Sequence, residues 1–292
     1  MESAGKRTRT LGQWDGAKDG WQAPLPLKSH EKSILIDARS LRFAVPTFLL
    51  RLRAFVEWHL ERGHEVSVLA PANESVATYM TRMGVSAGLP PETFVGLPQV
   101  EAGDSEVLVP ITQLREFQEV DELGERIYQL FLGHSEVDVK VFASAMHMAA
   151  SELCANAVEH GANPLGCYIA AQRYERPHRR TVLALGDLGV GIPKHMARQF
   201  PDLDSSHRRA LRKALREGVT ATGKEERGIG FTCVIEEAMA SRMRYATLDI
   251  HSGTARLQQF VFPAGPSTIW TAQAPNKIGT WLTFEIGPLS SV

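Results

Sequence analysis

At 292 residues the chain is long enough for one large domain or two ordinary ones of roughly 100–200 residues each. A hydrophobic share of 43% beside 22% charged residues belongs to a chain that buries a core, which excludes disordered and fibrous classes. The net charge of −1 removes any bulk electrostatic case for nucleic acid or an anionic membrane, and no apolar run reaches the ~20 residues of a membrane span.

Residues 1–30 are polar and lack periodicity, so they read as a disordered or loosely attached arm. Their basic residues have no apolar stretch behind them, so no secretory signal is expected. A strand is predicted over 33–37. A helix over 46–62 follows, with Pro46 in its first turn and Gly63 as its stop. A strand over 64–70 comes next. A helix over 73–83 has Asn73 as N-cap and closes at Gly84. The β-α-β-α order predicts a small α/β domain over 31–98. Residues 85–104 look like a linker, and a second domain spans 99–292. There the periodicities predict a strand at 107–111, helices at 121–132 and 138–160, and strands at 166–173 and 180–185. A polar, Arg-rich, Gly-punctuated stretch occupies 193–227. A helix at 231–240 and strands at 244–250, 256–262 and 280–286 complete an α+β layer with a mostly antiparallel sheet covered by helices. Cys154, Cys167 and Cys233 are scattered without metal-ligand spacing. They predict buried thiols in a reducing compartment, hence the cytoplasm.

Four motifs carry chemistry. Glu152, Asn156 and His160 recur every fourth residue and so share a helix face. Beside them runs the apolar stripe Phe142, Met146, Ala149 and Leu153. Either this face presents reactive groups at a core edge, or it is an ordinary solvated surface. Asp187-Leu188-Gly189-Val190-Gly191-Ile192-Pro193 follows a strand. Its glycines allow close approach of a flat ligand and its carboxylate can accept from an exocyclic amine. The alternative is a tight turn in which Asp187 caps the next helix. Gly228-Ile229-Gly230-Phe231 opens a helix, where free backbone N–H groups can cradle phosphate. The preceding 218–227, with Lys224 and Arg227, reads either as a lid over a polyphosphate or as a solvated loop. Gly223-Lys224 is no P-loop, since Glu225 follows. Gly279-Thr280 starts the last strand and is uninformative alone.

In this order, on helix, strand end, helix start and strand start, the motifs resemble the Bergerat, or GHKL, ATP-binding domain shared by gyrase B, histidine kinases and MutL. The resemblance covers ~105–288. It implies a two-layer sandwich, with ATP and Mg²⁺ as cofactors. Asn156 would bind the metal, Asp187 would recognise the adenine amine, and Gly189 and Gly191 would shape the adenine pocket. Gly228 and Gly230 would hold the phosphates, Thr280 would support the adenine end, and Glu152 would be the general base. His160, Ile192, Lys224, Ile229 and Phe231 complete the implied cofactor-binding set. Sensor histidine kinases usually carry Asn where this chain has Glu152. The spacing Glu152 to Gly161 is most similar to the anti-sigma-factor serine/threonine kinases. His147 lies on the same helix and reads as structural.

A second resemblance covers only ~30–95. Ile34 to Asp37, Leu41 to Leu49 and Gly63 to Val68 look like part of the STAS, or anti-sigma-antagonist, domain, the usual protein substrate of those kinases. Pro46 stands at the phosphoacceptor position with Thr47 next to it. That implies a degenerate docking or dimerising module, with an unrelated α/β unit as the alternative. The expected function is a Mg²⁺-ATP-dependent regulatory kinase acting on an antagonist-like or sigma-factor-like protein, compatible with a homodimer and without direct nucleic-acid or membrane binding. An ATP-hydrolysing conformational switch, a non-catalytic ATP-binding module and a histidine-kinase core are the alternatives.

Overall fold

A computed structural model describes residues 6–13, 31–100, 107–132, 147, 154, 163–174, 180–215, 245–262, 265–271, 274 and 276–287. The helices expected at 138–160 and 231–240 lie outside these residues, apart from the single positions 147 and 154.

The N-terminal unit is built on strands β1 (Lys6–Thr10), β2 (Ser33–Asp37), β3 (Glu65–Leu69) and β4 (Phe94–Val95), paired in parallel in that order. Between β2 and β3 runs α1 (Pro46–Leu60), and after β3 comes α2 (Glu74–Arg82), as parallel pairing demands. Asn73 caps α2 by accepting from the Val76 N–H at 3.1 Å. Ile34, Ile36, Val66 and Val68 alternate into the core. Two stretches differ from expectation. Lys6–Thr10 is a strand and not part of a disordered arm: its charged side chains suit a sheet edge, and buried Leu11 anchors it with an N–H···O bond to Asp37 of 2.9 Å. The stretch expected as a linker contributes core residues Val85 and Phe94 and the strand β4.

A seven-stranded sheet follows. Its strands are β5 (Val107–Leu114), β6 (Cys167–Tyr174), β7 (Arg180–Asp187), β8 (Tyr245–Gly253), β9 (Ala255–Phe262), β10 (Gly265–Thr271) and β11 (Lys277–Gly287). The order is β10-β9-β8-β11-β7-β6-β5, and every neighbouring pair is antiparallel. The molecule is thus α+β with an antiparallel sheet. Strand β10 was not expected from the sequence, whose 263–279 stretch lacks a clear apolar alternation. One sheet face sends Leu183, Leu185, Leu248, Ile250, Leu282 and Phe284 into a core with α3 (Phe117–Leu132). The other face sends Tyr168, Ala170, Ala184 and Trp281 into the core shared with α1.

Helix α1 therefore lies between the two sheets, touching β3 on one side and β6, β7 and β11 on the other. A helix packed between two sheets buries residues round most of its circumference, and Phe48, Leu49, Leu50, Leu52, Phe55 and Val56 are almost wholly buried. Its buried charges are paired. Glu57 takes the Arg53 guanidinium and the Tyr168 hydroxyl, and Arg53 also donates to the carbonyls of Val85 and Ala87 at 3.1 and 2.6 Å. The polar, Arg-rich stretch from 193, to which the sequence assigned no element, contains most of α4 (Gly191–Gln199) and all of α5 (His207–Ala214). Met196, Ala210 and Leu211 give these helices a buried side, and Ser206 caps α5 through the Arg209 N–H. Residues 216–227 lie outside the described ones.

Candidate functional site

Strand β7 ends on Asp187, which points to the same sheet face as Leu183 and Leu185 and is 3% exposed. One carboxylate oxygen accepts the Gly189 N–H at 2.6 Å. The other accepts the Thr280 N–H of β11 at 3.2 Å. Burial pushes the carboxyl up to about 6, against the pull of these two backbone N–H groups. Asp187 does not cap α4. That helix has no side-chain bond from its N-cap residue, and its Ile192 N–H is met instead by Ser252 Oγ at 3.0 Å.

Ser252, wholly buried at the end of β8, is a residue the sequence reading missed. Its Oγ also lies 3.0 Å from the Gly279 carbonyl and 3.0 Å from Thr280 Oγ1. A hydroxyl has one proton to give, and only Ser252 can give one to the carbonyl. Thr280 then donates to Ser252, which leaves the Thr280 oxygen purely an acceptor toward its remaining surroundings. Asp187 and Thr280 together present acceptors at one spot. No motif marks Ser252, because its partners lie 27, 28 and 60 residues away in the chain.

Glycines make the close approach feasible. Gly279 has φ +72°, and a Cβ there would lie 1.9 Å from the Asp187 carbonyl oxygen. Gly191 has φ +76°, and a Cβ there would come within 2.9 Å of both the Gly279 oxygen and Ser252 Oγ. The floor is fastened from outside as well. His207 at the start of α5 accepts the Thr254 N–H at 2.9 Å through Nδ1, which ties α5 to the turn between β8 and β9.

Of the residues expected in the site, the structure brings together Asp187, Gly189, Gly191, Ile192 and Thr280. Ile192 is partly buried between the sheet core and the small cluster around Met196. Glu152, Asn156, His160, Lys224, Gly228, Ile229, Gly230 and Phe231 lie outside the described residues. Among the described residues no group of three or more His, Cys, Asp and Glu could hold a metal ion. Cys154 and Cys167 are buried free thiols, and burial holds the Cys154 thiol well above its ordinary value. No described helix is long and apolar enough to cross a membrane.

No family model matches the chain, and no curated protein matches it. Among solved structures it is similar to the mycobacterial sensor histidine kinase MprB, at 14% identity and a TM-score of 0.29, over 62% of this chain and 99% of that one. It is also similar to the 43K ATPase domain of Thermus thermophilus gyrase B in complex with an aminocoumarin. There the identity is 16% and the TM-score 0.26, over 59% of this chain and 39% of that one.

Proposed function

We propose that the chain is a Mg²⁺-ATP-binding regulatory protein that transfers phosphate to a serine or threonine of a protein partner. The observation that carries the nucleotide reading is the acceptor pair of Asp187 and Thr280 at the glycine-walled end of β7 and β11. Acceptors at this spot suit an exocyclic amine, and in this reading the amine is that of adenine. In this reading Asn156 supplies a metal ligand, and Glu152, four residues earlier in the chain, orients and deprotonates the attacking hydroxyl. Lys224 and Gly228 to Phe231 would hold the phosphates.

The N-terminal unit would serve as the docking or dimerising module. Its β-α-β-α order supports the STAS-like reading. A role as phosphoacceptor finds no support, because Thr47 is buried and its hydroxyl bonds Thr283 Oγ1 at 2.7 Å. The partner would be an antagonist-like or sigma-factor-like protein.

The test is ATP binding and turnover of wild type, Glu152→Ala and Asn156→Ala, with labelled ATP and candidate antagonist domains. Asn156→Ala should lose Mg²⁺-ATP affinity. Glu152→Ala should keep binding and lose label transfer. Label transfer that persists in Glu152→Ala would overturn the assignment of the base, and phosphate release without labelled protein would replace the kinase with an ATPase switch.

A further inference from the structure

We infer that the chain forms a symmetric dimer in which the outer edge of β10 pairs antiparallel with β10 of a second copy, joining two seven-stranded sheets into one. Strand β10 ends the sheet order. Strand β9 holds one of its sides in antiparallel register, and among the described residues no strand pairs with the other. Such an edge presents a row of backbone N–H and C=O groups that another strand can complete. Ser267, Thr268 and Ile269 are exposed, Ile269 by 50%.

The other edges of the two sheets carry features that discourage pairing. Strand β1 has Lys6, Arg7 and Arg9 among its five residues, so a second β1 would meet like charges. Strand β4 is only two residues long. In β5, Pro110 has no N–H to give, and the Ile111 N–H is taken by the Met83 carbonyl at 2.8 Å. Strand β10 has no charged residue in Gly265–Thr271, and Thr268 to Thr271 are all good strand formers. Its Pro266 limits the usable edge to Ser267, Thr268, Ile269, Trp270 and Thr271. Since no other edge suits β10, a head-to-tail contact that would grow into a filament has nowhere to form. Pairing of β10 with β10 closes after two copies.

The residues of this edge also select a register. Ile269 is the middle of the five, and a twofold axis through it sets Ile269 opposite its own copy and Ser267 opposite Thr271 of the second copy. Alternation puts Ser267, Ile269 and Thr271 on one face. An apolar pair then sits at the axis with a hydroxyl pair on either side, and cross-strand pairs of both kinds stabilise an antiparallel ladder. Phe260 of β9, opposite Ser267, extends the same face. So short a ladder buries little surface, which makes the dimer weak and dependent on concentration. The inference does not rest on the nucleotide reading, since β10 carries none of the residues assigned to that site.

The experiment follows the full chain by sedimentation velocity from about 1 μM to about 500 μM, the span in which a small interface dissociates. The wild type should pass from monomer to dimer and go no further. Ile269→Lys and Ile269→Glu each place two like charges at the axis, and each should raise the dimer dissociation constant tenfold or more. An equal mixture of the two variants should dimerise again, because opposite charges then meet at the axis. That recovery also shows both variants to be folded. Val95→Lys, an exposed change on β4, should dimerise like wild type. The inference is overturned by a wild type that stays monomeric throughout, by assemblies that grow beyond two copies, or by Ile269 variants that dimerise like wild type. A mixture no better than its components, or a Val95→Lys dimer as weak as that of Ile269→Lys, overturns it too.

Discussion

Asp187 works under two opposed demands. Its place at the end of β7 removes it from water and pushes its carboxyl up to about 6. The N–H groups of Gly189 and Thr280 favour the ionised form and keep the rise from going further. At neutral pH the ionised form therefore prevails, and it is the form that accepts from an amine. Adenosine, which carries no phosphate to titrate, should bind more tightly as pH rises through about 6. It should also bind better than inosine, which has a carbonyl in place of the amine. In Asp187→Asn the amide must point its NH₂ at one of two backbone donors or at the ligand amine. Titration calorimetry should then find adenosine affinity reduced roughly 10- to 100-fold, the worth of a charged hydrogen bond of about 1.5–3 kcal/mol, with the pH dependence gone. Equal affinity of the wild type for adenosine and inosine would refute the role of Asp187.

Helix α1 joins the two sheets through a buried polar chain as well as through apolar packing. Tyr168 of β6 donates to Glu57, and Gln113 of β5 donates to the Tyr168 oxygen at 3.2 Å and to the Leu165 carbonyl at 3.0 Å. Burial, then the Glu57 carboxylate, keeps the Tyr168 phenol far above its ordinary value, so it remains a donor at any working pH. Tyr168→Phe removes that donor and leaves a buried carboxylate oxygen without it. Denaturant unfolding should show a loss of about 1–3 kcal/mol at unchanged m-value, and a loss no larger in wild type than in a Glu57→Gln background would show the contact to be idle. Elements such as β2, β3 and α2 were legible in the sequence because local rules decide them: alternation of Ile34 and Ile36, an Asn73 cap, a Gly84 stop. What escaped was decided by partners far away in the chain. Lys6–Thr10 is a strand only because β2 offers an edge, and the burial of α1 round most of its circumference depends on a sheet more than 100 residues downstream. In the site, Asp187 and Thr280 were legible as residues, but their contact spans 93 positions, and Ser252 had no local mark at all.

At the scale of the molecule, the seven-stranded sheet separates two cores, and each contains a group whose ionisation opposes folding. On the helical side it is Asp187. On the α1 side it is His59, wholly buried, with its Nδ1 3.1 Å from that of His64 and its ring against Phe55 and Trp58. Burial, then the nearby His64 and Arg62 charges, lowers His59 from 6.5 to about 4. The two groups act on stability with opposite sign across one pH window. Folding favours neutral Asp187, so its contribution is complete below 3.8 and is lost as pH rises through about 6. Folding also favours neutral His59, so its contribution is complete above 6.5 and is lost as pH falls through about 4. Each spans about 3 kcal/mol, so their sum changes little between these limits. Removing one should expose the other. Between pH 4 and 6.5, the unfolding free energy of Asp187→Asn should rise with pH relative to wild type, and that of His59→Phe should fall. Urea titrations at half-unit pH intervals separate these slopes from any constant cost of substitution. Parallel curves for all three proteins would show that neither group resists its charge in the folded state.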